Sequence, residues 1–435
     1  MLFYFSRRMS VIMAKLKDFR WQIFKFEMYG FLKNLRFFEP YLIIYLTLGG
    51  LSLFEVGLLI SIREIIIYIF EIPSGVIADL YGKKAELIMC FIFYIISFLL
   101  FFIAKDFWIF AIAMVLFGLG EAFRSGTHKA MIMSFLERHD IGASKTKVYG
   151  QTRAMSLVGS MVMSIIAIIF VLYLPDIKYL FLASIVPYLL DMILIASYPS
   201  YLNEKRETNF RFKTFIKQNV DSVKYTFKDG KVRRLVFDSA LYQAGYKSIK
   251  DYVQPMIIAL SLSAGLVAFG DFTEDENLKI YIGVIYAVIY LISSIASRNS
   301  YKVADKVNHY SLINSTWLLS AIAALVLSFF SDNLFIIFSS FILIYIFINL
   351  RKPVMVQEIG NNSDKTKRAS VLSIEAQLSS ILLVIFAPII GALADYSYQL
   401  LFIVVGAIML VIFLFNQFYN FKCLKRSKKE ETLQN

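Results

Sequence analysis

Cysteine and histidine are scarce in this sequence, with two Cys and three His in 435 residues. Cys90 falls in an apolar segment and Cys423 in a polar tail, so neither a disulfide framework nor a cysteine metal site is expected. Histidine–carboxylate spacings typical of metal centres are missing. So is the glycine–lysine loop that cradles nucleotide phosphates. The chain is therefore not read as an enzyme, and no metal or cofactor is called for. Charged residues are only 18% of the chain. The long apolar runs lack the ten-residue alternation of a membrane β-barrel. No apolar segment with a small-residue cleavage site precedes the first long run, so the basic start (Arg7, Arg8, Lys15, Lys17, Arg20, Lys25) is expected to stay on the chain.

Apolar surface is abundant instead. Hydrophobic residues make up 58% and aromatics 16% of the chain, and mean hydropathy is +0.64. Apolar runs of about 20 residues match the roughly 30 Å hydrocarbon layer, and lipid offers the backbone no hydrogen-bond partners, so the runs must be helices. The expected fold class is all-α, a polytopic membrane protein of twelve spans: 29–50, 56–79, 86–104, 107–128, 150–174, 178–198, 236–268, 279–297, 308–331, 333–352, 369–394 and 397–420. The first, second, fourth and seventh carry charges and score worst as spans.

The net charge of +13 has a topological reading. Lys and Arg crowd the two tails and every second connection, whereas the other connections hold only Lys105, Lys178 and Lys279. Basic residues collect on the cytoplasmic side, so both termini are expected in the cytoplasm of a cell inner (plasma) membrane, and nucleic acid is not an expected partner. The acidic connection FGDFTEDENLK (269–279) then lies outside.

Internal repetition divides the chain. At an offset of 215, Gly30 meets Gly245, Glu39 meets Gln254, Pro40 meets Pro255 and Arg153 meets Arg368. The expected organisation is a basic tail (1–28), a six-helix bundle (29–198), a linker (199–235), a second bundle (236–420) and a basic tail (421–435). In the linker, Phe212, Phe215, Ile216, Val220, Val223 and Phe227 recur at near-helical spacing, which suggests an amphipathic helix on the membrane surface.

Between the second and third spans stands GVIADLYGKK (75–84). Gly75 is expected to permit close helix approach and Gly82 a tight reversal, while Lys83 and Lys84 anchor the helix end at the inner leaflet. Gly75, Asp79, Gly82, Lys83 and Lys84 resemble the loop signature of major facilitator superfamily transporters, G-x-x-x-D-[RK]-x-G-[RK]-[RK], with Leu80 where a basic residue is usual. The resemblance covers residues 29–420. It implies two six-helix halves that alternate access to a site near the midplane, with Asp79 latching the inner gate against the eleventh span. Two features of drug–proton antiporters are missing: Met114 stands where they carry an arginine, and the fifth span has Gly159 without the accompanying proline.

Charges inside spans are costly and point to cavities or partners. In the superfamily the first, fourth, seventh and tenth spans line the cavity. Glu39, in the middle of the first span, is the foremost candidate for binding a proton or substrate; the alternative is a pair with Arg36 at i,i+3. In the seventh span, Lys247 and Asp251 are spaced to pair at i,i+4, Gln254 occupies the repeat position of Glu39, and Tyr242 and Tyr246 add hydroxyls. Glu121 and Arg124, with Arg351 and Lys352, read as gate charges. Arg63, Glu64 and Glu375 rank next; Asp191 reads as a packing or local-pair feature and His128 as a surface residue.

The function expected is secondary active transport of a small solute coupled to a proton or ion gradient, in contact with membrane lipids. Aromatic wealth favours export of amphipathic compounds. The missing antiporter features and the cavity charges favour a polar or charged solute, imported or carried by a uniporter. A membrane receptor or scaffold without transport is the alternative of another class.

Overall fold

The computed structural model describes residues 19–124, 126–139, 145–203, 221, 223–264, 272–306, 308–364 and 367–434. No strand occurs among the described residues. The helices, in chain order, are α1 Arg20–Leu32, α2 Leu42–Leu48, α3 Leu53–Tyr81, α4 Lys83–Ile103, α5 Phe107–Arg124, α6 Thr127–Arg138, α7 Lys145–Tyr173, α8 Tyr179–Ala196, α9 Gly230–Ile249, α10 Val253–Ala264, α11 Glu274–Lys306, α12 His309–Phe329, α13 Leu334–Asn362, α14 Arg368–Tyr396 and α15 Tyr398–Gln434. Several begin at a side-chain cap. Asp229 accepts from the Lys231 and Val232 N–H groups at the start of α9, and Asn308 and Asn333 do the same for α12 and α13. Each satisfies donors that have no partner within the helix.

Nine helices among the described residues are long and apolar enough to cross a membrane. The expected spans 29–50, 56–79 and 236–268 are not among them. The second of these, inside α3, carries Arg63, Glu64, Glu71 and Asp79. The first and third are interrupted: α1 ends at Leu32 and α2 begins at Leu42, with a 3-10 turn at Glu39–Tyr41 between them, and α9 ends three residues before α10. The fourth expected span also ends early, at Arg124, and Gly126 (φ +78°) precedes a separate α6. Residues 204–220 of the linker lie outside the described residues; Val223 and Phe227 are helical and exposed. The acidic connection is described from Phe272, and Lys279 on α11 pairs with Asp275 at 2.5 Å.

The chain forms two compact units. The first comprises the described residues of Met1–Leu51, Leu58–Phe215 and Asp275–Leu291; the second those of Ser52–Gly57, Ile216–Glu274 and Ile292–Asn435. In the first, α1 and α7 approach through reciprocal glycines: a Cβ on Gly30 would lie 2.6 Å from the Thr152 carbonyl, and one on Gly159 would lie 2.6 Å from that of Phe31. Missing side chains let the backbones meet, which substitutes for the hydrophobic drive that lipid removes. Aromatic rings fill the rest of that unit. Phe181 stacks on Phe38 and Phe101 with centroids 4.5 and 4.8 Å apart, and Tyr188 meets Phe91, Tyr94 and Phe98 at 5.0–5.3 Å. In the second unit Val232, Val236, Ile359, Val371 and Ile374 form a core cluster joining α9, α13 and α14.

Candidate functional site

The two interruptions occur at matching places in the repeat. At the offset of 215, Leu35–Phe37 in the first gap corresponds to Lys250–Tyr252 in the second. A proline follows each gap, Pro40 at the start of the 3-10 turn and Pro255 in the first turn of α10. Pro40 and Pro255 have no N–H to give the carbonyl four residues back, and the ring crowds it. Those carbonyls belong to Arg36 and Asp251. Each is taken instead by the residue before the proline, Glu39 N–H at 2.9 Å and Gln254 N–H at 3.1 Å, a 3-10 bond at the same point of each repeat. Glu39 therefore sits in a 3-10 turn and not in the middle of a continuous helix.

In the first unit the gap presents Arg36. Its guanidinium donates to Glu121 Oε1 at 2.6 Å, the Tyr188 hydroxyl at 2.5 Å and the Tyr94 hydroxyl at 3.3 Å. Arg124 bonds the other Glu121 oxygen, and its Nε donates to Tyr94 at 3.1 Å. One carboxylate from α5 is thus held by two arginines, over the faces of Tyr94 and Phe117, which lie 5.3 and 5.1 Å from the Arg36 guanidinium. Arg36, expected as a possible partner of Glu39, pairs with Glu121. Glu121 and Arg124 are part of this part-buried cluster, in which two cations offset the desolvation of one carboxylate. The gap backbone is held by α8: Tyr188 donates to the Lys33 carbonyl at 3.1 Å, and Ser184 Oγ accepts from Phe37 N–H at 3.0 Å.

In the second unit Asp251 lies in the gap and bonds Lys250 at 2.5 Å. The expected i,i+4 geometry with Lys247 does not arise, because α9 ends between the two residues. Gln254 is fully buried and Tyr246 packs its ring edge-on to Tyr345, centroids 5.3 Å apart. Tyr242 is also interior: its hydroxyl meets Ser320 Oγ at 2.7 Å and its ring faces Arg351 at 4.3 Å.

Arg351, 1% exposed, lies inside α13 and not at a helix end. It forms an ion pair with Asp238, a residue the sequence reading passed over, and donates to Thr316 Oγ1 at 2.7 Å. Asp238 also accepts from Trp317 Nε1 at 2.7 Å and Asn416 Nδ2 at 3.0 Å. The acid is satisfied by α12, α13 and α15 together, so it fastens four helices of its unit. An aspartate within the run LVFDSALYQ was the available signal, since an acid in an apolar helix requires a partner. Glu375 on α14 accepts from Ser239 at 2.7 Å and from the Gln243 amide of α9.

Around the GVIADLYGKK loop, Gly82 has φ +96°, and a Cβ there would run into the Asn203 amide. Asn203 Oδ1 accepts from Lys84 N–H at 2.9 Å, so the turn needs glycine for both conformation and space. Lys84 Nζ caps α8 through the Ala196 and Tyr198 carbonyls at 2.8 and 2.7 Å, and Lys83 Nζ donates to Ser134 at 3.1 Å. The close approach expected at Gly75 is not found: a Cβ there would meet no atom within 4 Å. Asp79 lies in the last turn of α3. Arg63 pairs with the adjacent Glu64 at 3.1 Å. His128, expected at the surface, is buried, stacked on Tyr29 with centroids 3.6 Å apart.

Comparison with known proteins agrees with this architecture. A sequence profile of the Major Facilitator Superfamily matches residues 28–350. The uncharacterised MFS-type transporter YxaM of Bacillus subtilis (strain 168) is 27% identical over 252 residues, 56% of this chain and 61% of that protein, so the match spans less than two thirds of the relative. Crystal structures of the nucleoside transporter NupG, one of them of a mutant, superpose with TM-scores of 0.78 and 0.73 at 10% and 11% identity, over 91% of this chain and 98% of theirs. The peptide transporter POT in complex with sulfate gives 0.70 at 13% identity, over 91% and 93%. At such identities the superpositions speak for the fold, whereas the profile match extends over most of the chain: it belongs to the Major Facilitator Superfamily and is a multi-pass membrane protein of that family.

Proposed function

We propose that the protein is a secondary transporter that carries a polar or charged small solute by alternating access, coupled to a proton or ion gradient. The observation that carries this reading is the pair of helix interruptions at the same point of each repeat, each followed by a proline, with charged side-chain types at both: Arg36 held by Glu121, and Asp251 with Lys250. Unwound segments in corresponding positions of two repeats are where transporters of this architecture bind solutes and coupling ions, because freed backbone groups and helix ends supply polar contacts that a continuous helix keeps to itself. Glu39, beside Arg36, is the candidate coupling carboxylate. The repeats, 29–198 and 236–420, are the two bodies proposed to alternate. The protein is placed in a cell inner membrane with both termini cytoplasmic.

Export of amphipathic compounds is the second reading. The aromatic wealth that favoured it is largely spent on packing: Tyr94, Phe98, Phe101 and Tyr188 are buried inside the first unit. Part-buried charged side chains beside the interruptions favour the polar solute.

The test is flux into proteoliposomes under imposed pH and sodium gradients, screened with nucleosides, short peptides and amphipathic cations. The first two are the solutes named for the structural neighbours. Gradient-driven accumulation of a polar solute, lost in Glu39→Gln, is the expected result. Binding without flux would favour a receptor, and full pH-driven flux in Glu39→Gln would remove Glu39 from the coupling role.

A further inference from the structure

Among the described residues, the interior acids each have a partner on at least one carboxyl oxygen (for Glu86, Thr127 on Oε2 only), with Asp191 the exception. Glu121 is held by two arginines, Asp238 by Arg351, Trp317 and Asn416, and Glu375 by Ser239 and Gln243. Asp191, in the apolar helix α8, is 0% exposed, and neither carboxyl oxygen has a hydrogen-bond partner among the described residues. An ionised carboxylate in that position would have lost water and gained nothing.

The groups around Asp191 come from several elements. Lys33, immediately after α1, has its carbonyl bonded at 3.1 Å by Tyr188, which stands one turn before Asp191 on α8, and Arg124 comes from α5. Arg124 is committed to Glu121 and Tyr94. Tyr29, on α1, is 2% exposed, and its hydroxyl is likewise without a partner among the described residues. Tyr198 follows α8 and hydrogen-bonds His128 of α6 at 3.1 Å. Tyr188, one turn earlier on α8, is engaged with Arg36, and α4 contributes Cys90 and Tyr94 to the same interior.

Lys33 differs from these neighbours. Its carbonyl is tied to Tyr188, but its ammonium lies 5.4 Å from the Tyr29 ring centroid and forms no ion pair among the described residues. The residue stands at the first helix interruption, on a flexible four-carbon stem.

We propose that Asp191 is a proton-binding site worked by Lys33: the carboxyl carries a proton in this conformation and releases it when the Lys33 ammonium closes on it. Only the Asp191 O–H bond breaks. The proton leaves to solvent, and the lysine supplies the counter-charge for the carboxylate. Movement at the helix interruption is thereby linked to gain or loss of one proton, at a place distinct from Glu39. The use of that proton rests on the transport reading; its binding does not.

Infrared difference spectroscopy of the purified full-length protein, titrated with acid and base, reads the site directly and needs no transported solute. The wild type is expected to show the carbonyl stretch of a protonated carboxyl that disappears in Asp191→Asn. Lys33→Met, which removes the cation favouring the ionised form, is expected to raise the midpoint of that band by about one pH unit or more. Lys33→Arg is expected to leave it closer to wild type. Asp191→Glu serves as the fold-preserving control and is expected to keep a titrating band at a shifted frequency. A spectrum unchanged in Asp191→Asn, or a midpoint indifferent to Lys33→Met, would overturn the proposal, whatever the flux measurements return.

Discussion

Arg351 and Asp238 illustrate how little a residue's sequence neighbourhood says about its work. Arg351 closes an apolar run and invites the reading of a charge at a membrane edge. Its guanidinium instead spans Asp238, Thr316 and the Ile313 carbonyl, over the Tyr242 ring. Removing one member of a buried pair strands the other, at a cost of about 3–5 kcal/mol. Arg351→Met is therefore expected to lower the melting temperature strongly in detergent. Asp238→Leu combined with Arg351→Met is expected to lose less than the sum of the two single changes, as a thermal-unfolding double-mutant cycle would show. Glycines divide similarly. Gly82→Ala meets both an unfavourable positive φ and the Asn203 amide, and is expected to cost about 1–2 kcal/mol, whereas Gly75→Ala meets open space and is expected to be nearly neutral in the same assay.

Elements follow from these local demands. The α1–α2 and α9–α10 pairs are each broken ahead of a proline, Pro40 or Pro255. Both stand in the first turn of the element that follows, where a missing N–H costs little, but each denies the preceding segment a donor that would continue the helix. Pro40→Ala and Pro255→Ala are expected to raise the melting temperature. They are also expected to slow flux of a solute returned by the transport screen on the order of tenfold, since about 1.4 kcal/mol added to a barrier suffices. An increase in stability with undiminished flux would show that the interruptions are dispensable. Both prolines, and their shared offset, are plain in the sequence. That they end helices needed the structure, because membrane helices tolerate proline elsewhere in the same chain: α3 continues through Pro73, α8 through Pro187 and α14 through Pro388.

For the molecule as a whole, the alternation of basic and non-basic connections carries the expectation of orientation. Lys83→Cys and Asp275→Cys, each made singly in a cysteine-free background, are expected to react with an impermeant thiol reagent from opposite faces of the membrane, Lys83→Cys only after the cell is opened. Labelling of both from one side would refute the proposed topology and the transport cycle built on it.

Composition, helical class, the repeat and the superfamily signature were legible along the chain, because hydropathy and the spacing of Gly, Pro and Lys are local quantities. The partners of Arg36, Arg351 and Asp238, and the burial of Asp191 without one among the described residues, were not. Whether two charges meet depends on how each helix is rotated and shifted against its neighbours, and that is settled by the packing of glycine contacts and aromatic rings throughout a unit. Glu121 and Arg124 are adjacent on one helix in any reading; only tertiary packing brings Arg36 from another segment to complete their cluster, and leaves Asp191 without a hydrogen bond among the described residues.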